Sequence, residues 1–281
     1  MMNEAKFSIL IPTWNNLPYL KICIDSIRKN SHFANQVVVH VNEGNEGTAE
    51  WLRKNNIEFT ESSENIGVCQ ALNAAFKLAR TDYILFMNDD MYCCPGWDLF
   101  LWNEIERIGH HKFFLSSTMI EPVASLNKCV IAPHDFGRRA ETFREKDLLD
   151  TLPVLHFNDW CGSTWPPNVV HRRMWEAVGG LSEEFSPGMY SDPDFAMKLW
   201  KQGVRYFKGV GKSLVYHFQS KSTGKVKKNN GRKQFLQKWG VSASYFTKEI
   251  LKSGQPFTGP LPERDIRLTF KDRLKKIIYL N

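Results

Sequence analysis

Neither GxGxxG nor GxxxxGK[ST] occurs anywhere in this 281-residue chain. The two commonest backbone cradles for a dinucleotide or a nucleoside triphosphate are thereby excluded. A phosphate-bearing ligand would need a cation to neutralise it. No apolar run is long enough to span a bilayer, and no signal-peptide pattern precedes the first strand. The expectation is a soluble, cytoplasmic protein with no transmembrane segment. Six cysteines (Cys23, Cys69, Cys93, Cys94, Cys129 and Cys161) form no CxxC pair and no zinc spacing, and read as reduced structural thiols. Acidic residues are missing from residues 218–247, where Lys221, Lys225, Lys227, Lys228, Arg232, Lys233 and Lys238 all fall. That segment accounts for the whole formal net charge of +7, and it marks a local surface for phosphates, anionic lipid or nucleic acid.

What is present is an ordinary globular balance, with 42% hydrophobic and 24% charged residues. The first 90 residues alternate in type. Strands are expected at 7–12, 36–41, 57–60 and 83–87, with helices at 17–29, 48–54 and 68–79 between them. Such alternation predicts an α/β fold, a doubly wound and mostly parallel sheet with right-handed crossovers. The later part is less regular. A helix is expected at 97–108, strands at 113–117, 205–207 and 213–215, and a helix at 195–202.

The most informative stretch is Tyr83-Ile84-Leu85-Phe86-Met87-Asn88-Asp89-Asp90. A buried parallel strand runs straight into two adjacent carboxylates, at the strand's C-terminal end where open α/β sheets bind ligands. Two carboxylates side by side repel unless a cation joins them, and a divalent metal does so through oxygen ligands. A solvated turn is the plainer reading of the same three residues.

SILIPTWNN, VNEGNEGT, ENIGVCQALNAAFKLARTDYILFMNDD, EAVGGLSEEF, SDPDFAMKLWKQG and VYHFQSKS follow one another in a telling order. The ordered set, spanning roughly residues 7–222, resembles the family 2 glycosyltransferases of the GT-A fold. The resemblance implies an inverting, metal-dependent transfer of a sugar from a nucleotide-sugar, UDP favoured, to an acceptor hydroxyl. It implies a catalytic domain over residues 1–219, with a nucleotide-sugar half (1–92) and an acceptor half (93–219), followed by a basic extension (220–281). Asn88-Asp89-Asp90 stands at the family's DxD motif, with Asn88 in place of the usual first Asp. Asp90 and His217 would hold Mn²⁺ or Mg²⁺, and Asp192 would be the catalytic base. Pro12, Thr13, Glu43, Asn65, Gly67, Asn73, Asn88 and Asp89 would bind the donor. Leu72 and Ser191 depart from the family, which often has a basic residue and a Glu at those places.

Other readings of the same residues stand beside these. Asp192-Pro193-Asp194 suits a helix N-terminus, because Asp caps and Pro fits the first turn. His217 at a strand end fits a structural histidine. Trp160 and Trp165 flank Gly162 in an aromatic, Gly- and Pro-bearing loop. They suit either the core or, with Gly162 and Asp194, a platform for the acceptor. The acceptor would be a glycan, a lipid-linked saccharide or another polyanion, DNA included, met by the basic segment. Residues 269–280 carry Phe270, Leu274, Ile277 and Ile278 on one helical face among cations, a pattern that also suits peripheral contact with the inner face of a membrane. A nucleotidyltransferase with a similar acidic metal site and a non-catalytic sugar-nucleotide-binding module are the remaining alternatives.

Overall fold

A computed structural model describes residues 4–163, 165–220 and 228–266. The expected helix at 269–280, with Lys221, Lys225 and Lys227, lies outside the described residues. The N-terminal part folds as β1 (Phe7–Trp14), α1 (Leu17–Asn30), β2 (Gln36–Asn42), α2 (Thr48–Lys54), β3 (Glu58–Ser62), α3 (Gly67–Phe76) and β4 (Tyr83–Phe86). β5 (Met91–Cys93), α4 (Trp97–Ile108), β6 (Phe113–Ile120), β7 (Val130–Ile131) and α5 (Glu145–Thr151) come next. β8 (Trp160–Cys161), β9 (Asn168–His171), α6 (Arg172–Val178), α7 (Ser191–Lys201), β10 (Tyr206–His217) and α8 (Gly231–Trp239) follow.

The ten strands among the described residues join one sheet, ordered β3-β2-β1-β4-β9-β6-β10-β5, with β7 beside β6 and β8 beside β10. The first four strands are parallel, as their alternation with helices predicts. β1 is buried from Phe7 to Ile11 because helices cover both faces of the sheet there. It also runs on past Pro12, in register with His40 of β2. Its ladder with β4 closes at Leu10, so Pro12 falls where β1 has lost one of its two partners. α1 opens with a proline in its first turn and ends on Arg28 and Lys29, which complement the dipole at that end.

The second half departs from a simple parallel extension. β9 inserts antiparallel between β4 and β6, and β5 closes the edge antiparallel to β10. The two strands expected at 205–207 and 213–215 are one long strand, β10, whose register against β6 shifts between Val210 and Leu214. An irregularity of this kind lets one strand change its exposed face midway. Part of the stretch that the charge pattern sets apart joins the main core: Phe235, Phe246, Ile250 and Leu251 pack with Trp200 and Phe207. No helix among the described residues is long and apolar enough to cross a membrane.

Candidate active site

The loops after β1, β4 and β10 meet over the C-terminal edge of the sheet. They enclose a cavity of about 400 Å³ lined by Pro12, Thr13, Asn65, Gly67, Asn88, Asp89, Asp90 and His217. Eight of the predicted site residues therefore come together. Pro12, Thr13 and Asn88 to Asp90 reach the cavity because parallel strands β1 and β4 end side by side there, Asn65 and Gly67 come from the turn leading from β3 into α3, and β10 brings His217 into register with Met91 of β5.

The two carboxylates have different surroundings. Thr13 Oγ1 donates to Asp89 Oδ2 at 2.6 Å and Asn16 Nδ2 donates to Oδ1 at 3.0 Å. Asp89 thus ties the β1 loop to the start of α1. Burial, reinforced by the charge of Asp90, pushes Asp89 up to about 7 despite those donors. Burial also opposes ionisation of Asp90. There, the neighbouring His217 ring and the Ser220 backbone N–H, which donates to Oδ2 at 2.7 Å, outweigh it and hold Asp90 below the usual carboxylate range.

His217 stands between two acids. Its Nε2 lies 3.5 Å from Asp90 Oδ1 and its Nδ1 lies 3.0 Å from Glu121 Oε1. Burial disfavours the imidazolium, but the two carboxylates raise His217 to about 10. Glu121 follows β6 directly and is buried. It was not among the residues singled out from the sequence, although an acid closing an apolar strand at the same sheet edge as Asp89 is the same signal.

Among the described residues no group of three or more His, Cys, Asp and Glu side chains forms a cage for a metal ion. Asp90 and His217 do fit a cation that completes its shell from a ligand's own oxygens, the habit of Mg²⁺ on substrate phosphates. With Nδ1–H donated to Glu121, the Nε2 lone pair of a neutral His217 faces Asp90. A carboxylate behind a histidine is the usual way to fix that tautomer for a metal.

The closed end of the cavity is built by contact. Gly67 has φ +77°, and a Cβ there would come within 2.6 Å of the Pro187 backbone. Val68 N–H donates to the Pro187 carbonyl at 3.0 Å. Asn42, Pro187 and Met189 line this end, and Trp14, Gln219, Ser220 and Lys228 line the other walls. Of these only Lys228 was singled out from the sequence, as one cation of the basic segment. Their roles come from loop closure, which periodicity does not report. Lys228 places one cation of the basic segment at this cavity.

Asp192 lies in the first turn of α7, three residues beyond Met189, and is partly buried. It has no hydrogen-bond or ion-pair partner among the described residues. Burial pushes it up to about 7. It is close enough to α3 to help raise the thiol of Cys69, two residues past Gly67. Glu43 does not line the cavity. Its carboxylate accepts from Trp14 Nε1 at 2.6 Å and Asn15 Nδ2 at 3.3 Å, and so steadies the tryptophan that does.

Four expectations are corrected by packing. Asn73 is turned away from the cavity, and its amide is spent on the backbone of Leu181, donating to O at 2.8 Å and accepting from N at 2.9 Å. Asp194 is fully buried and accepts from Ser182 Oγ and Trp239 Nε1, with Lys238 Nζ 3.0 Å away, so it anchors α8 and offers nothing to an acceptor. Trp160 is 2% exposed, donates to Thr118 Oγ1 at 3.0 Å, and lies so flat on β10 that a Cβ on Gly209 would meet its ring at 1.8 Å. Gly162 is closed in by Ser253. Of the predicted platform only Trp165 is open, at 41%, with its ring N–H turned to Cys129.

Comparison with known proteins bears on the whole arrangement. No match was found among curated proteins. Among solved structures the chain is similar to residues 1–349 of S. aureus TarS in complex with UDP, at 19% identity and a TM-score of 0.50. That match covers 76% of this chain and 58% of the other, so this chain spans well under two thirds of the TarS fragment. It is also similar to the mannosyltransferase PcManGT from Pyrobaculum calidifontis in complex with GDP-Man and Mn²⁺, at 16% identity, a TM-score of 0.54, and 87% and 70% coverage. At these identities the likeness is one of fold, the GT-A fold. The profile of Glycosyl transferase family 2 matches residues 8–153, which hold β1 through α5, both carboxylates and Glu121. With more than half of its length matched, this chain belongs to glycosyl transferase family 2.

Proposed function

We propose that this chain transfers a sugar from a nucleoside-diphosphate sugar to an acceptor hydroxyl with inversion at the anomeric carbon. The observation that carries this reading is the meeting of Asp90 and His217 with Pro12, Thr13, Asn65 and Gly67 in one cavity at the C-terminal sheet edge. The nucleoside sits between the ends of β1 and β2, under Asn65 and Gly67. Its diphosphate points toward Asp90 and His217, which would hold Mn²⁺ or Mg²⁺. The ion supplies charge neutralisation for the departing diphosphate. Lys228 adds a second positive charge at that wall.

Asp192 takes the proton of the acceptor hydroxyl as its oxygen bonds to the anomeric carbon and the carbon–phosphate oxygen bond breaks. One displacement with one base inverts the centre. A carboxyl near 7 suits the role, since a general base works best with a pKa close to the operating pH. UDP is the first donor nucleotide to test. GDP is the second, because one of the two structural neighbours holds each.

Calorimetry of UDP and GDP binding, with and without Mn²⁺ or Mg²⁺, tests the proposal. One nucleotide should bind at least about tenfold more tightly with metal, and Asp90→Ala or His217→Ala should remove that gain. Equal affinity after chelation overturns the metal assignment. Failure of both nucleotides to bind overturns the donor reading.

A further inference from the structure

A second cavity, of about 890 Å³, opens on the other side of the chain that follows β10. It shares Trp14, Gln219 and Ser220 with the donor cavity, so the two are neighbours across a thin wall. The wall itself is fixed to the acidic motif: Phe218 N–H donates to the Asp90 carbonyl at 3.0 Å and Ser220 N–H to its carboxylate.

The lining has two characters. Trp14 and Tyr19, both half-buried, give with the exposed Val123 an aromatic and apolar side, and Phe218, 1% exposed, backs Tyr19 edge to face at 5.3 Å. Arg138 and Arg139 give a cationic side. Arg138 is paired to Asp135 at 3.0 Å, and its carbonyl accepts from Tyr19 Oη. The Arg139 carbonyl accepts from Thr142, but its guanidinium has no hydrogen-bond or ion-pair partner among the described residues. Burial raises the Tyr19 phenol most, Asp90 and Glu141 add to that and Arg139 opposes it, so the ring lies within reach of charges of both signs.

Rings that stack on sugar faces, beside an unpaired guanidinium, suit a saccharide that carries an anion. A nucleotide-sugar already has its own cavity, with the metal-ligating pair inside. A neutral acceptor would leave Arg139 without a counter-charge at the rim of an acidic site.

We propose that this second cavity anchors the acceptor, a saccharide whose reactive hydroxyl enters the donor cavity while a neighbouring phosphate or carboxylate pairs with Arg139. The inference rests on the transferase reading and adds the class of acceptor to it. Binding energy gathered there, away from the reacting atoms, would hold the hydroxyl in line with the donor.

The test titrates glucose 6-phosphate, glucuronic acid and methyl glucoside into the full chain, following tryptophan fluorescence and NMR shifts in the presence of saturating UDP or GDP with Mg²⁺. At least one anionic probe should bind about tenfold or more tightly than methyl glucoside, and Arg139→Glu should abolish the difference. Which of the two probes binds tells phosphate from carboxylate. Nucleotide affinity of the same variant reports that its fold is intact. The proposal is overturned if neither anion outbinds the neutral probe, if Arg139→Glu binds them as well as wild type, or if they displace the nucleotide. Nucleotide binding without probe binding sinks the anchoring site alone. Probe binding that needs Arg139, with neither nucleotide bound, sinks the transferase reading and leaves an anion site.

Discussion

Replacing Asp192 with Asn should make the protein more stable and inactive at once, in a pH window set by one carboxyl. Burial raises Asp192 from 3.8 to about 7, so below that range the wild-type side chain is a neutral acid, and Asn imitates it. A raised folded pKa means that the folded state binds the proton more tightly than the unfolded state. The associated stability is full below pH 3.8 and is lost as pH rises through about 7. At pH 8.5 wild type therefore carries a buried charge without a partner among the described residues. The shift corresponds to roughly 2–4 kcal/mol, the lower end allowing for a partly exposed group. Thermal unfolding at pH 5 and pH 8.5 reads it. Asp192→Asn should match wild type only below pH 3.8, show part of the gain at pH 5, and melt roughly 5–10 °C higher at pH 8.5. Asp89 titrates in the same window, but it is present in both proteins and cancels in the difference. Turnover tells the rest. Wild-type kcat/KM should fall tenfold per pH unit below about 7, whereas Asp192→Asn should lose about 10²–10⁴-fold in kcat with nucleotide affinity kept. A variant no more stable at pH 8.5 than at pH 5, relative to wild type, refutes the burial argument. Near-wild-type turnover refutes the base.

Glu121→Gln keeps the size of the side chain but removes the charge behind His217. It should weaken metal-dependent nucleotide binding about 10–100-fold in a Mn²⁺ titration while leaving metal-free binding unchanged. His40 is 1% exposed, and burial lowers it to about 4 from 6.5, so its stability is present above pH 6.5 and lost as pH falls toward 4. His40→Gln should therefore flatten the fall in stability across that interval, worth at most about 3 kcal/mol in denaturant melts at pH 7 and pH 4.5. Asn73→Ala should cost roughly 1–3 kcal/mol in urea unfolding, from two lost backbone hydrogen bonds, with nucleotide affinity untouched. A large loss of nucleotide affinity instead would return Asn73 to the donor site.

The legible parts of this chain are those in which local pattern and tertiary role coincide. β1, β2 and β4 are apolar runs that end in polar loops, and parallel strands must bring those loops to one edge. Pro12, Asp89 and Asp90 could be placed from that rule alone. β9 is four residues long, and nothing in Asn-Val-Val-His says that it runs against its neighbours or wedges between β4 and β6. Asp192 and Asp194 show a different limit. Two positions apart on a helix, they point about 200° away from each other, so one must face inward when the other does not. A motif read as a unit treats them alike. Trp160 failed as a platform for a related reason. Glycine next to tryptophan reads as a loop, yet the glycine that matters is Gly209 on β10, whose missing side chain makes room for the ring.

The seam between residues 187–190 and 228–231 has a temporal meaning. Asn229 accepts from Met189 N and donates to Met189 O, at 3.2 and 3.1 Å, and Gly231 fits against the same carbonyl. Lys228 hangs from that seam as one wall of the nucleotide cavity. During synthesis the first four parallel strands and the acidic motif leave the ribosome early, at about 5–20 residues per second. They can assemble from neighbouring βα units alone. The wall arrives more than a hundred residues later, after β10 has threaded back to the sheet edge. A nascent chain thus displays an open, half-built cavity floor for seconds before its last wall is made.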